Sequence, residues 1–78
     1  MSRAQPFLHV AIQAILVTHP ERTATFQVLS DENARLDLYR QKKGTGIHPL
    51  PKRFRARARR YPKLFELVSP DKVRYIGQ

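Results

Sequence analysis

Cysteine is absent from this 78-residue chain, which removes both a disulfide staple and a thiolate metal site. The domain must therefore close by apolar packing alone, and at this length folding buries only roughly 60% of the unfolded surface. Little room is left for a catalytic cleft with its own supporting shell, so an enzyme is not expected. Long apolar runs are missing as well. The longest, Phe7 to Val17, is interrupted by His9 and Gln13 and falls well short of the ~20 residues needed to cross a bilayer. It has neither a basic start nor a small-residue cleavage site, so no membrane span and no signal peptide are read there. His9, His19 and His48 stand at no ligand spacing from one another, which argues against zinc. Gly44-Thr45-Gly46 is followed by no lysine and serine or threonine at the spacing of a phosphate-binding loop. No cofactor is implied.

Acid is also scarce, with 6 Asp and Glu against 15 Lys and Arg and a formal net charge of +9. The imbalance is local: residues 1–30 carry +1, residues 31–50 carry +1 and residues 51–78 carry +7. Its centre is Lys52-Arg53-Phe54-Arg55-Ala56-Arg57-Ala58-Arg59-Arg60, six cations in nine residues. Charge concentrated in this way repels itself, and binding phosphate with release of counterions relieves the repulsion. A polyanion is the first partner to consider.

The apolar spacing places that run on a helix. Pro51 suits a first helical turn, and the Tyr61-Pro62 step ends the helix because the residue before proline is pushed out of the helical region. Within it Phe54, Ala58 and Tyr61 form one stripe, with Lys52, Arg55 and Arg59 opposite and Arg53, Arg57 and Arg60 flanking. Upstream, Phe7, Val10, Ala11, Ala14, Ile15 and Thr18 predict a helix over about 6 to 18, opened by Pro6, with His9 and Gln13 on its solvent side. Leu8, Ile12, Leu16 and Val17 widen its apolar face beyond one stripe, so it is covered on more than one side or meets a partner. Thr23 to Thr25 is a connector or one rung of strand.

A further helix is expected over about 31 to 43, with Ser30 as N-cap, Asp31 and Glu32 in its first turn, Leu36 and Tyr39 facing inward, and Ala34 and Leu38 as further candidates for that face. Arg40, Lys42 and Lys43 complement its C-terminal end and Gly44 closes it. Whether Phe26 to Leu29 belongs to it stays open. At the other end of the chain, Leu64 to Val68 and Val73 to Ile76 are joined by Ser69-Pro70-Asp71-Lys72, a turn signature that predicts a hairpin. Phe65 and Leu67 then share a face with Val73 and Tyr75, while Glu66, Lys72 and Arg74 point outward.

This order gives an α+β fold of the winged helix-turn-helix kind: three or four helices, then a C-terminal β-hairpin wing, in one domain over 1–78 with loose ends at 1–5 and 77–78. From Ala11 to Gly77 the chain resembles the LOTUS (OST-HTH) type of winged helix. The residues that carry the likeness are Tyr39-Arg40-Gln41-Lys42-Lys43-Gly44, Phe54, Tyr61-Pro62-Lys63-Leu64-Phe65-Glu66-Leu67-Val68 and Lys72-Val73-Arg74-Tyr75-Ile76. The resemblance implies RNA binding or the docking of a helicase partner, and in bacteria the company of nuclease domains.

The residues themselves point to nucleic acid, DNA first and RNA close behind. Arg55 and Arg59, one turn apart, are the candidates for base edges or neighbouring phosphates. Lys52, Arg53, Arg57, Arg60 and Lys63 suit phosphates that position the domain, and Lys72 and Arg74 on the wing suit flanking contacts. A different class of function remains open: a protein-interaction or homodimer module that uses the broad apolar face of helix 1 and an acidic partner. So does an arginine-rich peptide that folds on RNA. The expected setting is intracellular, in cytoplasm or nucleoid, or in the nucleus of a eukaryote, where the basic run would also serve as a localisation signal.

Overall fold

A computed structural model describes residues 7–40 and 48–77. Three helices, α1 (Leu8–Leu16), α2 (Phe26–Leu36) and α3 (Pro51–Arg59), pack on a three-stranded antiparallel sheet of β1 (Thr23–Thr25), β2 (Phe65–Ser69) and β3 (Lys72–Tyr75). The protein is thus a small α+β domain. In the sheet β3 is central: it pairs with β1 through Thr23 to Arg74 and Thr25 to Lys72, and with β2 through Phe65 to Tyr75 and Leu67 to Val73. The residues expected at the outer ends, 1–5, lie outside the described residues, as do Pro6, Lys42, Lys43 and the glycines 44 and 46. At Gly77 an added Cβ would stand 2.8 Å from Leu64 and 2.9 Å from the Tyr75 ring, so the chain passes close to both.

Helix α1 buries Leu8, Ala11, Ile12, Ile15 and Leu16. Part of the breadth of its apolar face is used within the chain's own core, because α2, α3 and β3 all pack on it, but Phe7, Val10, Ala14 and Val17, expected on that face, are exposed. Leu8, Ile12 and Leu16 are no more than 1% exposed and offer no surface themselves; the apolar residues that α1 leaves exposed are Val10, Ala14 and Val17. His9 is likewise not on a free solvent side; its ring lies between those of Phe7 and Tyr61. The helix stops where Thr18 and His19 turn their amides onto Ile15 and Leu16 just before Pro20.

Helix α2 begins five residues before the expected start. Thr25, not Ser30, is the cap: its side-chain oxygen accepts the Val28 amide at 3.1 Å. A strand-ending threonine satisfies an orphan donor of the first turn, and Phe26, Leu29 and Asn33 then recur at three and four residues as the buried face. Ser30 is mid-helix and donates to the Pro49 carbonyl at 3.0 Å. Asp31 and Glu32 are mid-helix too, engaged by Gln27 and Arg35. Leu36 is exposed, and Leu38 and Tyr39 lie beyond the helix yet still pack against the core.

The early stop is made by Asn33 and Asp37. Asp37 adopts a left-handed conformation (φ 52°) and its amide, with that of Leu38, converges on the Asn33 carbonyl. The wholly buried Asn33 amide meanwhile donates to the Tyr39 carbonyl at 2.9 Å and accepts the Tyr39 N–H at 2.8 Å. Asn33→Ala leaves both Tyr39 groups without partners, and each orphaned polar group costs about 1–3 kcal/mol where water is excluded. Because Tyr39 is half-buried, a loss of about 2 kcal/mol is expected, read as a fall of roughly 8–16 °C in Tm. A shift under about 3 °C would mean that packing alone holds the segment.

Candidate nucleic-acid interface

Helix α3 is fixed by what it buries. Leu50 enters in extended conformation, Pro51 takes the first position, and Phe54 and Ala58 are 0% and 1% exposed. At ~100° per residue the opposite side must carry Lys52, Ala56, Arg59 and Arg60, with Arg53 and Arg55 at its margins. All six of these are exposed and only Arg57 is half-buried. The arginine stems are long enough to lie along the helix while their guanidinium heads reach outward. After Arg60 the Tyr61 carbonyl accepts the amides of Leu64 and Phe65 at 2.9 and 3.0 Å, which turns the chain past the exposed Lys63 into β2.

The electrostatics sharpen this picture. Among the described residues the ion pairs gather at the end of α2 and just beyond it: Arg35 with Glu32, and Arg40 and His48 with Asp37. The Arg40 guanidinium, with help from His48, holds the Asp37 carboxyl far below the usual carboxylate range, and Arg35 lowers Glu32 in the same way. Glu32 and Asp37 are thus engaged away from α3, whereas the exposed Asp71 lines a groove with Lys52 and Arg55. None of Lys52, Arg53, Arg55, Arg57, Arg59 and Arg60 forms an ion pair with a described carboxylate. Its outward side therefore carries exposed cations that form no ion pair among the described residues.

The sheet adds two of the expected residues in a different place. Val73 and Tyr75 face the core, so the alternation of the strand puts Lys72 and Arg74 on the outer face. The hairpin turn lies close to α3: Pro70 and Asp71 share a groove with Lys52, Arg55, Pro51, Phe26 and Gln27. Asp71 also accepts the Phe26 amide at 2.9 Å through its carbonyl, so the turn is docked on the start of α2. The expected hairpin is present, but its tip is not a projecting arm.

Arg74 has a neighbour that sequence reasoning missed. Glu21 and Arg22 follow Pro20 with φ of 55° and 53°, two successive residues in a region that side chains enter at a cost. The result brings the Arg22 guanidinium 5.8 Å from the centre of the Tyr75 ring, in a cleft also lined by Arg74 and Gly77. Composition gives no hint of this, because Pro20-Glu21-Arg22 reads only as a helix stop. Two basic surfaces result, the outward side of α3 with its groove and the Arg22–Arg74 end of the sheet. Among the described residues no cluster of His, Asp and Glu could hold a metal ion, and no helix is long and apolar enough to cross a membrane.

The fold and this surface together define a small α+β domain that presents a strongly basic helix. The chain matches no protein-family model, no curated protein and no solved structure.

Proposed function

We propose that this protein is a non-enzymatic nucleic-acid-binding domain of the winged-helix type, similar to the LOTUS kind, with α3 as the helix that enters the groove of a duplex. The observation that carries the reading is the outward side of α3, where exposed cations form no ion pair among the described residues while Glu32 and Asp37 are occupied elsewhere. The element order supports it: helix, short strand, two helices and hairpin, with the last strand between the other two. In a winged helix that connection sets the hairpin beside the recognition helix, as the shared groove of Lys52, Arg55, Pro70 and Asp71 does here. Arg55 and Arg59 reach for base edges, because a guanidinium can hold guanine in two bonds. The remaining cations of α3, with Lys63, Lys72 and Arg74, bind phosphates and set the register.

The protein-partner reading is the weaker one, because the helix 1 residues it relied on are buried. DNA is the favoured duplex and RNA the second. Fluorescence anisotropy titrations against duplex DNA, duplex RNA and single-stranded RNA at about 50 and 200 mM salt test the proposal. With about six phosphates neutralised, log affinity for duplex DNA falls against log salt with a slope near −5. A slope near zero, or no binding at low salt, rejects it.

A further inference from the structure

Three aromatic rings stand in a ladder at the C-terminal end of α3. Tyr61 is stacked on His9 with centroids 4.2 Å apart and planes 20° from parallel, and His9 on Phe7 at 5.8 Å and 8°. The inner end is anchored, since Tyr61 is half-buried and packed against the core. The outer end is not, because Phe7 is 71% exposed. Its backbone is nonetheless fixed: the Phe7 carbonyl accepts the amides of Val10 and Ala11, both at 3.0 Å, at the first turn of α1. An aromatic ring is thus presented to solvent on a fixed backbone beside the His9 ring.

The middle ring shows that the ladder is built for its faces. His9 keeps Nδ1 buried with no hydrogen-bond partner. A buried polar atom left unpaired calls for an explanation, and among the described residues none bonds to this one; the imidazole lies as a flat ring between Phe7 and Tyr61. The chain neighbours of Tyr61 then add charge, with the exposed Arg60 before it and the exposed Lys63 two residues after. Flat rings in line beside cations are the elements with which proteins hold unpaired bases, because every base offers a π-face and every nucleotide a phosphate.

We infer that Phe7 is a stacking platform for an unpaired nucleobase, so that the preferred ligand is a duplex that continues into a single strand past the Tyr61 end of α3. The inference rests on the nucleic-acid reading of α3 and adds to it a ligand class, a junction of paired and unpaired strands.

The test uses the full chain and two probes, a blunt duplex of about 12 base pairs and the same duplex with a single-stranded tail of about four nucleotides containing 2-aminopurine. Wild-type protein should bind the tailed probe about 5-fold or more tightly than the blunt one, the effect of a single stacked base, and should quench its fluorescence. Phe7→Ala should remove both the gain and the quenching and leave blunt-duplex affinity unchanged, while Phe7→Trp should keep them. A tail that adds nothing for the wild type, or a gain that survives Phe7→Ala, overturns the inference while blunt-duplex binding stands. Binding confined to the tailed probe and lost in Phe7→Ala supports the platform and removes the groove reading. Absence of binding to either probe rejects both.

Discussion

The double variant R55A/R59A should fold like the wild type and bind duplex about 100-fold or more weakly, since each bidentate arginine contact to a base is worth about 1–3 kcal/mol. Both side chains are exposed and neither holds an ion pair among the described residues, so thermal unfolding should move by less than about 0.5 kcal/mol. The salt slope divides the roles further. If both arginines touch phosphate, the slope falls from about −5 to about −3.5; if they read bases alone, the slope holds and discrimination between sequences is lost. Equal affinity for wild type and variant would remove α3 from the interface. The companion change K52A should weaken all sequences alike and cost about 0.9 in slope, the mark of a phosphate contact.

Phe54→Ala is expected to have the opposite profile, with binding lost because the fold is lost. Phe54 is fully buried on the same helix, and removing a buried phenylalanine costs about 3–5 kcal/mol in transfer energy and residual cavity. A chain of this length has only about 4–12 kcal/mol of total stability. The variant should therefore unfold in dilute urea or be largely unfolded at room temperature, as read by far-UV circular dichroism. A loss of less than about 1 kcal/mol would contradict the central place of Phe54 in the core. The contrast between the two variants separates the side of α3 that is held from the side that is offered.

How much of this was legible in the chain depends on the range of the forces involved. Helix α3 was readable almost to the residue, because proline at both ends and a Phe54-Ala58-Tyr61 stripe are local signals. The hairpin was readable for the same reason, down to Phe65 facing Tyr75 and Leu67 facing Val73. The start of α2 was not. Ser30 with two acids behind it is a good local cap signal, but Thr25 took the role because β1 ends there and Phe26 is needed in the core. The end of α2 was missed because Asn33 makes its decisive bonds to Tyr39, six residues on, and the fate of the wide face of α1 was settled by elements far along the chain.

For the site, periodicity sufficed to place the outward cations of α3, since the side opposite a buried stripe faces solvent. It could not reveal that Glu32 and Asp37 spend their charge on Arg35, Arg40 and His48 rather than on α3. Nor could it find Arg22, whose position depends on two left-handed residues, or the alignment of Phe7, His9 and Tyr61, which joins positions more than fifty residues apart in sequence.

The bond from the Phe26 amide to the Asp71 carbonyl ties the hairpin turn to the first residue of α2, one residue beyond the Thr25 that caps the helix and pairs with Lys72. The sheet is thereby tied to the start of α2, and the shared groove of Pro70 and Asp71 with Lys52 and Arg55 sets the same turn beside α3. If the turn keeps its place on binding, the nucleic acid has to do the adapting on the proposed reading. Easily kinked pyrimidine–purine steps should then be favoured over stiff A-tracts at positions that no side chain touches.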